Sequence, residues 1–315
     1  MSKSQKQERL GFLCLLGAIS LWSTVEVVTR TLHADIRPVQ LAWVRFLLGG
    51  GLLCVLLPFH LRRRGLKLDR RILVFAMILS WPGVVMSNIA LQYSLTAAGA
   101  AVVATVYGAA PLIVLALSRV LLGDPLTLPR IAGLASGFLG ITILSFGKPS
   151  PDFSLFGVVC ALVAAGSFSL WTVLVKRSAG PYAGLPVTAL CCAFGVLFMT
   201  PMAWIENDGF NLRALAPHAG LVLYLAIGGT GLAYWLYFTG LEHVDATRAM
   251  SVILLKPPAA ALLAWFWLGE PLTWNVLVAM ALILVALYGV FVWDRNRRLR
   301  ALQHPDETGR PAHSG

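Results

Sequence analysis

Residues 87–127 of this chain are echoed in register by residues 233–273. A displacement of 146 positions lays Leu241 on Leu95, Ala246 on Ala100 and Pro257 on Pro111 without a gap. It also sets Leu268-Gly269-Glu270-Pro271-Leu272-Thr273 on Leu122-Gly123-Asp124-Pro125-Leu126-Thr127. The likeness returns upstream, where Ser169-Leu170-Trp171 repeats Ser20-Leu21-Trp22 and Pro201 pairs loosely with Pro58. A chain with such a period reads as two related halves, and any fold it takes must be one that a duplicated unit can close.

Composition decides the medium. The chain is 58% apolar and only 12% charged, where soluble domains carry about a quarter charged residues, so it reads as an integral membrane protein. A hydrocarbon layer about 30 Å thick takes roughly 20 apolar helical residues to cross. Ten runs have that character, at about 10–30, 39–59, 72–93, 98–119, 129–147, 154–175, 184–205, 218–240, 247–268 and 273–293. They are continuous rather than alternating, which favours helices over barrel strands. The first follows Lys3, Lys6 and Arg9 as a signal peptide would, but it continues through Trp22 to Val28 and is the repeat partner of the sixth, so it is read as mature structure. Cys14, Cys54, Cys160, Cys191 and Cys192 all fall inside runs as small apolar fillers. Neither a disulfide framework nor a metal spacing is present, and no cofactor is expected.

The net charge of +11 would suit a nucleic-acid partner if it were spread over one face, but it sits in alternate loops. Lys3, Lys6 and Arg9 precede the first run. Arg62, Arg63, Arg64, Lys67, Arg70 and Arg71 follow the second, Arg119 and Arg130 flank the loop after the fourth, Lys176 and Arg177 follow the sixth, and Arg295, Arg297, Arg298 and Arg300 follow the tenth. The other loops hold only Arg30, Arg37, Lys148 and Arg213. This bias places both termini in the cytoplasm and points away from nucleic acid. Five runs per half is an odd number, so the second half enters the membrane from the opposite side to the first. The expected fold is therefore an all-α membrane protein of ten transmembrane helices, arranged as two inverted five-helix repeats around a central cavity. The repeats are residues 1–148 and 149–293, and residues 294–315 form a basic, disordered cytoplasmic tail.

Proline inside a spanning helix removes a donor and frees carbonyls that neighbours must satisfy. Trp81-Pro82-Gly83, Pro111 and Pro257-Pro258 are accordingly expected to break their runs and serve as hinges beside a cavity. The Gly123-Asp124-Pro125 turn reads as a helix stop followed by a helix start. Gly133 and Gly137 form a small face for close helix packing.

Leu21-Trp22-Ser23, Val44-Arg45-Phe46, Ala90-Leu91-Gln92-Tyr93, Pro111, Pro257 and the two Leu-Gly-Asp/Glu-Pro-Leu-Thr turns, taken together and in order, resemble the drug/metabolite transporter superfamily and within it the EamA type. The resemblance runs from Gly11 to Val292. It implies two inverted halves around a central cavity, alternating access, proton or exchange coupling, and the cytoplasmic (inner) membrane of a bacterium. Members that look like this export amino acids, nucleosides, sugars, metabolites or drugs. The chain departs from the pattern at Lys256, where such sequences more often have an apolar or acidic residue before the proline.

Three ionisable residues lie inside runs, and such residues are functional candidates by default. Glu26 and Arg45 share a depth at 1.5 Å per residue and can pair across adjacent helices, either as structure or as a coupling site; Glu26 also has Arg30 one turn on. Lys256 lies near the midplane with no acidic residue at its depth. It either donates to carbonyls freed by Pro257 and Pro258, or faces the cavity and binds a substrate carboxylate. Trp22, Asn88, Gln92, Tyr107, Trp171, Tyr234 and Trp265 supply the aromatic and amide groups of a mostly apolar binding site. His243, Asp245 and Arg248 read as solvated loop or gate residues. The function expected is secondary transport of a small organic metabolite, such as an amino acid or organic acid, in the outward direction. The alternative is multidrug or cation efflux, and further off a membrane-embedded enzyme or scaffold. An enzyme would need a nucleophile with its base, paired carboxylates or a zinc set such as HExxH, and the sequence carries none of these.

Overall fold

The computed structural model describes residues 3–98, 103, 106–107, 110–124, 126–146, 154–206, 208–256, 258–259 and 274–289. Among the described residues every regular element is a helix. In chain order they are α1 (Lys3–Leu32), α2 (Pro38–Arg64), α3 (Arg70–Ala97), α4 (Ala110–Leu122), α5 (Leu128–Phe146), α6 (Leu155–Ser178), α7 (Leu185–Glu206), α8 (Leu212–His243), α9 (Ala246–Leu255) and α10 (Trp274–Tyr288). Six of them, α1, α2, α3, α6, α7 and α8, contain stretches long and apolar enough to cross a membrane; α4, α5, α9 and α10 carry shorter apolar stretches. Large apolar side chains such as Val55, Phe59, Leu197 and Ile205 stand exposed on the outside of the bundle, as a lipid-facing surface requires and a water-facing one does not tolerate. The protein is a multi-pass membrane protein. The second Gly-Glu-Pro turn, Pro257, Trp265 and the tail at 294–315 lie outside the described residues.

Helix ends follow local chemistry. Pro38 opens α2, where its missing N–H costs nothing, and Gly65 closes it at φ 64°. Asp69 accepts from Ile72 N at 2.8 Å at the start of α3, and Asp245 accepts from Arg248 N at 2.9 Å at the start of α9. The N-terminus of α2 has no cap of its own; the Glu206 carboxylate at the end of α7 accepts from Val39 N and Gln40 N at 3.0 and 3.2 Å.

Packing alternates between the two parts of the chain. The helices pair as α1 with α8, α3 with α6, α2 with α7 and α5 with α10, while α2 also lies on α8 and α3 on α7. Small residues set the closest seams. A Cβ at Gly49 would overlap the Ala226 carbonyl, so only glycine lets α2 lie this near α8. The expected Gly133 and Gly137 face meets Ala286 on α10, and Ser136 Oγ donates to Leu282 O at 3.1 Å there.

Pro82 is expected to break its run, yet α3 runs through it unbroken. The helix widens instead into a π turn over Trp81–Met86, with Ser87 N reaching back to Pro82 O. The carbonyls this leaves underused are taken by side chains one turn on: Ser87 Oγ donates to Gly83 O and Asn88 Nδ2 to Val84 O at 3.1 Å. A second π turn, Leu225–Leu232, lies in α8. There Thr230 Oγ1 donates to Leu225 O at 3.1 Å and Trp22 Nε1 to Gly229 O at 3.0 Å. Pro111 of α4 is buried, and so is Pro258, in helical backbone after α9.

Candidate substrate cavity

A cavity opens where these two π-turn helices meet α1, α2, α6 and α9. It is lined by Trp22, Val25, Arg45, Asn88, Leu91, Tyr107, Phe168, Tyr234, Ile253 and Lys256. The lining draws on residues from both copies of the repeat, and it has the character of an organic-solute site, with aromatic walls and a few polar groups.

The walls are built by an aromatic cluster. Trp22 meets Phe168 and Tyr234 edge-on, with ring centroids 5.7 and 5.3 Å apart, and Tyr234 also sits edge-on to Phe46 at 5.5 Å. Such crossed rings hold one another's orientation. Because its indole N–H is spent on the Gly229 carbonyl, Trp22 presents the cavity with ring surface rather than a donor. Tyr234 Oη donates to Asn88 Oδ1 at 3.2 Å, and Asn88 in turn spends its Nδ2 on the α3 π turn. The Arg45 guanidinium, 4% exposed, donates from Nε to Thr230 Oγ1 at 3.3 Å, and this ties it to the α8 π turn. Each π turn therefore positions a polar group of the lining, Asn88 on one side and Arg45 on the other.

Of the residues expected from sequence, Lys256, Trp22, Asn88, Tyr107, Tyr234 and Arg45 are brought together in this lining. Two others are placed elsewhere. Trp171 is fully buried and packs over Gly83, whose absent side chain gives the ring its room, and beside Phe238 at 4.4 Å. Gln92 is 2% exposed, one turn beyond Asn88 on α3. Beside it lies His33, whose burial pushes its pKa below the ordinary 6.5; the Gln92 side chain opposes the shift and the Arg45 charge adds to it. Trp265 and the Glu26 side chain lie outside the described residues, so the expected Glu26–Arg45 pair does as well. Phe168 was not singled out from sequence, although it stands beside the repeated Ser169-Leu170-Trp171.

One end of the bundle corrects an expectation. Arg248 is not solvated: it is 7% exposed, pairs with Glu8 of α1 at 3.1 Å and lies 3.2 Å from Asp245. Arg130 of α5, 1% exposed, reaches the same Asp245 carboxylate at 3.5 Å. The four charges fasten α1, α5 and the start of α9 at the end of the chain's basic loops.

The EamA-like transporter family matches the chain at residues 9–146 and again at 155–292. The uncharacterized transporter YvbV of Bacillus subtilis is 24% identical over 92% of this chain and 94% of its own length. An uncharacterized transporter of Archaeoglobus fulgidus is 25% identical over 88% of this chain and 97% of its own. Protein PecM of Dickeya dadantii is 31% identical over 65% of this chain and 70% of its own. A solved crystal structure with 20% identity superposes over 93% of this chain and 99% of its own at a TM-score of 0.75, which is a likeness of fold.

Proposed function

The chain belongs to the EamA-like transporter family, and from that premise we propose that it is a secondary transporter of the cytoplasmic membrane that moves a small organic metabolite by alternating access. That it is a membrane transporter rather than an enzyme follows from the family and its named relatives. The substrate class, the direction and the mechanism are the reading offered here. The cargo is an amino acid, an organic acid or a related solute. The outward direction is taken from the resemblance.

The observation that carries the reading is the cavity itself. Groups from both copies of the repeat face one another across it, and two cationic side chains, Arg45 and Lys256, stand among aromatic walls. A carboxylate-bearing solute with an apolar body suits that combination. Several features support two inverted five-helix halves, each crossing the membrane five times. The family matches twice. The α1–α8 contact has its counterpart in α6–α3, with α2 on α7 and α5 on α10 between them. Trp22 donates to the Gly229 carbonyl, and its counterpart Trp171 packs on Gly83, the glycine at the equivalent position of the other copy. Tyr234 and Asn88, the same position in the two copies, touch each other, as residues near a pseudo-two-fold axis must.

In this reading the halves rock about the α2–α7 pair, Lys256 and Arg45 hold the anionic group, and the rings hold the body. Proteoliposome uptake and efflux across a panel of metabolites, with and without a proton gradient, tests it. Saturable flux of at least one carboxylate or amino acid is expected, falling tenfold or more in Lys256→Met. Flux that never saturates would point to a channel, and unchanged transport of every carboxylate by Lys256→Met would remove the role given to that lysine.

A further inference from the structure

A second cavity lies at the end of the bundle where the basic loops gather, between the ends of α2, α6 and α8. It has about 660 Å³ of empty space counted with its mouth, and is lined by Arg64, Val175, Lys176, Gly180, Pro181, Ala183, Phe238, Leu241 and Glu242. Its chemistry is layered. Pro181 and Ala183 make an apolar rim over the buried Val175, Phe238 and Leu241, and Arg64 and Lys176 stand beside it with the carboxylate of Glu242.

The two cations are held differently. Lys176 Nζ donates to the last carbonyls of α8, Leu241 O at 2.6 Å and Glu242 O at 3.3 Å. An ammonium has three donors, so one remains for a group in the cavity. Arg64 Nη2 reaches Glu242 Oε2 at 3.2 Å, and its side chain is 39% exposed. The guanidinium has five N–H donors, and a pair this open contributes little by itself, so Arg64 can turn toward an incoming anion. The rest of the basic loop is close by, because Tyr182 Oη donates to Lys67 O at 2.6 Å and binds that connection to the turn forming the cavity's rim.

We propose that this cavity is a binding site for the headgroup of an anionic phospholipid. Its phosphodiester would be gripped by Arg64 and Lys176, and its glycerol and first acyl carbons would lie against Pro181 and Ala183. Basic pockets between membrane helices bind anionic lipid headgroups. A free phosphate would use the cations but leave the rim of Pro181 and Ala183 uncovered. The site joins α2 to α6 and α8, so an occupant braces helices from both copies of the repeat. It is separate from the central cavity and independent of what that cavity carries.

The full-length protein tests this in native mass spectrometry and thermal unfolding after exchange into phosphatidylglycerol or phosphatidylcholine. Wild type is expected to retain phosphatidylglycerol about fivefold or more over phosphatidylcholine, and each of Arg64→Gln and Lys176→Gln to lower that preference about fivefold. Glu242→Gln, which removes the competing carboxylate, is expected to raise retention. Lys176→Gln also frees two carbonyls and can fail to fold; Arg64→Gln gives up only a long, exposed bond to Pro181 O at 3.5 Å, and Glu242→Gln releases no backbone group, so these two decide the matter. The proposal is overturned if wild type shows no preference, if the preference survives Arg64→Gln and is unmoved by Glu242→Gln, or if inorganic phosphate protects against unfolding as well as the lipid does.

Discussion

At the scale of single residues, the site depends on side chains that spend their polar groups on backbone and leave other surfaces for the cavity. Trp22 gives its N–H to Gly229 O and Asn88 its amide to Val84 O. Gly83 is the sharpest case, since any side chain there would collide with the Trp171 ring. Gly83→Ala is expected to destabilise the protein by about 1–3 kcal/mol through overpacking, read as a lower Tm. Trp171→Leu in the same chain should recover part of that loss, whereas a purely conformational effect of alanine would leave the double variant no better. Thr230→Val is a polar counterpart. It removes the acceptor of Arg45 and the donor to Leu225 O, so about 1–3 kcal/mol is expected to be lost, and substrate affinity should fall with it if Arg45 is a substrate contact.

Helices add what single residues do not carry. The sequence marks Pro82 as an interruption, but the chain absorbs it as a π turn because Ser87 and Asn88 stand one turn on to take the released carbonyls. Proline alone does not determine whether a helix breaks; the partners within reach of its carbonyls do. The connection after α1 gives a pH-dependent prediction. Burial lowers the pKa of His33 from 6.5, so the fold favours the neutral ring. Its contribution to stability is then fully present above about pH 6.5 and is lost as the pH falls through the lowered value. Thermal unfolding followed from pH 7.5 down to 5 is expected to show a smaller fall in Tm for His33→Gln than for wild type. Parallel curves would place the acid sensitivity elsewhere.

Over the whole molecule, the cluster of Glu8, Arg130, Asp245 and Arg248 closes one end of the bundle with buried charge. Asp245 serves both arginines, so Asp245→Asn takes one carboxylate away from two nearly buried cations. A fully buried pair broken in this way costs about 3–5 kcal/mol. Asp245 keeps 23% of its side chain exposed, so about 1–3 kcal/mol is the expected loss. If this end opens during transport, the variant should also become more reactive at cysteines introduced beside Glu8. A loss of stability without a change in labelling would make the cluster structural only.

The sequence by itself determined the membrane class, the repeat and the kind of residue that meets in the cavity. Apolar run length and a 146-position period are properties of the chain that need no neighbours to be read. Lys256, Trp22, Asn88, Tyr107, Tyr234 and Arg45 were legible as candidates for the same reason: polar and aromatic groups in lipid-length runs must face something other than lipid. Tertiary structure alone decided which way each side chain turned. Trp22 and Trp171 are equivalent letters in the repeat, yet one lines the cavity and the other is packed behind it over Gly83. Arg248 looked solvated until Glu8, 240 positions away, was brought against it. Burial and pairing are set by helices distant in sequence, and no local pattern specifies which helix face its neighbours will cover.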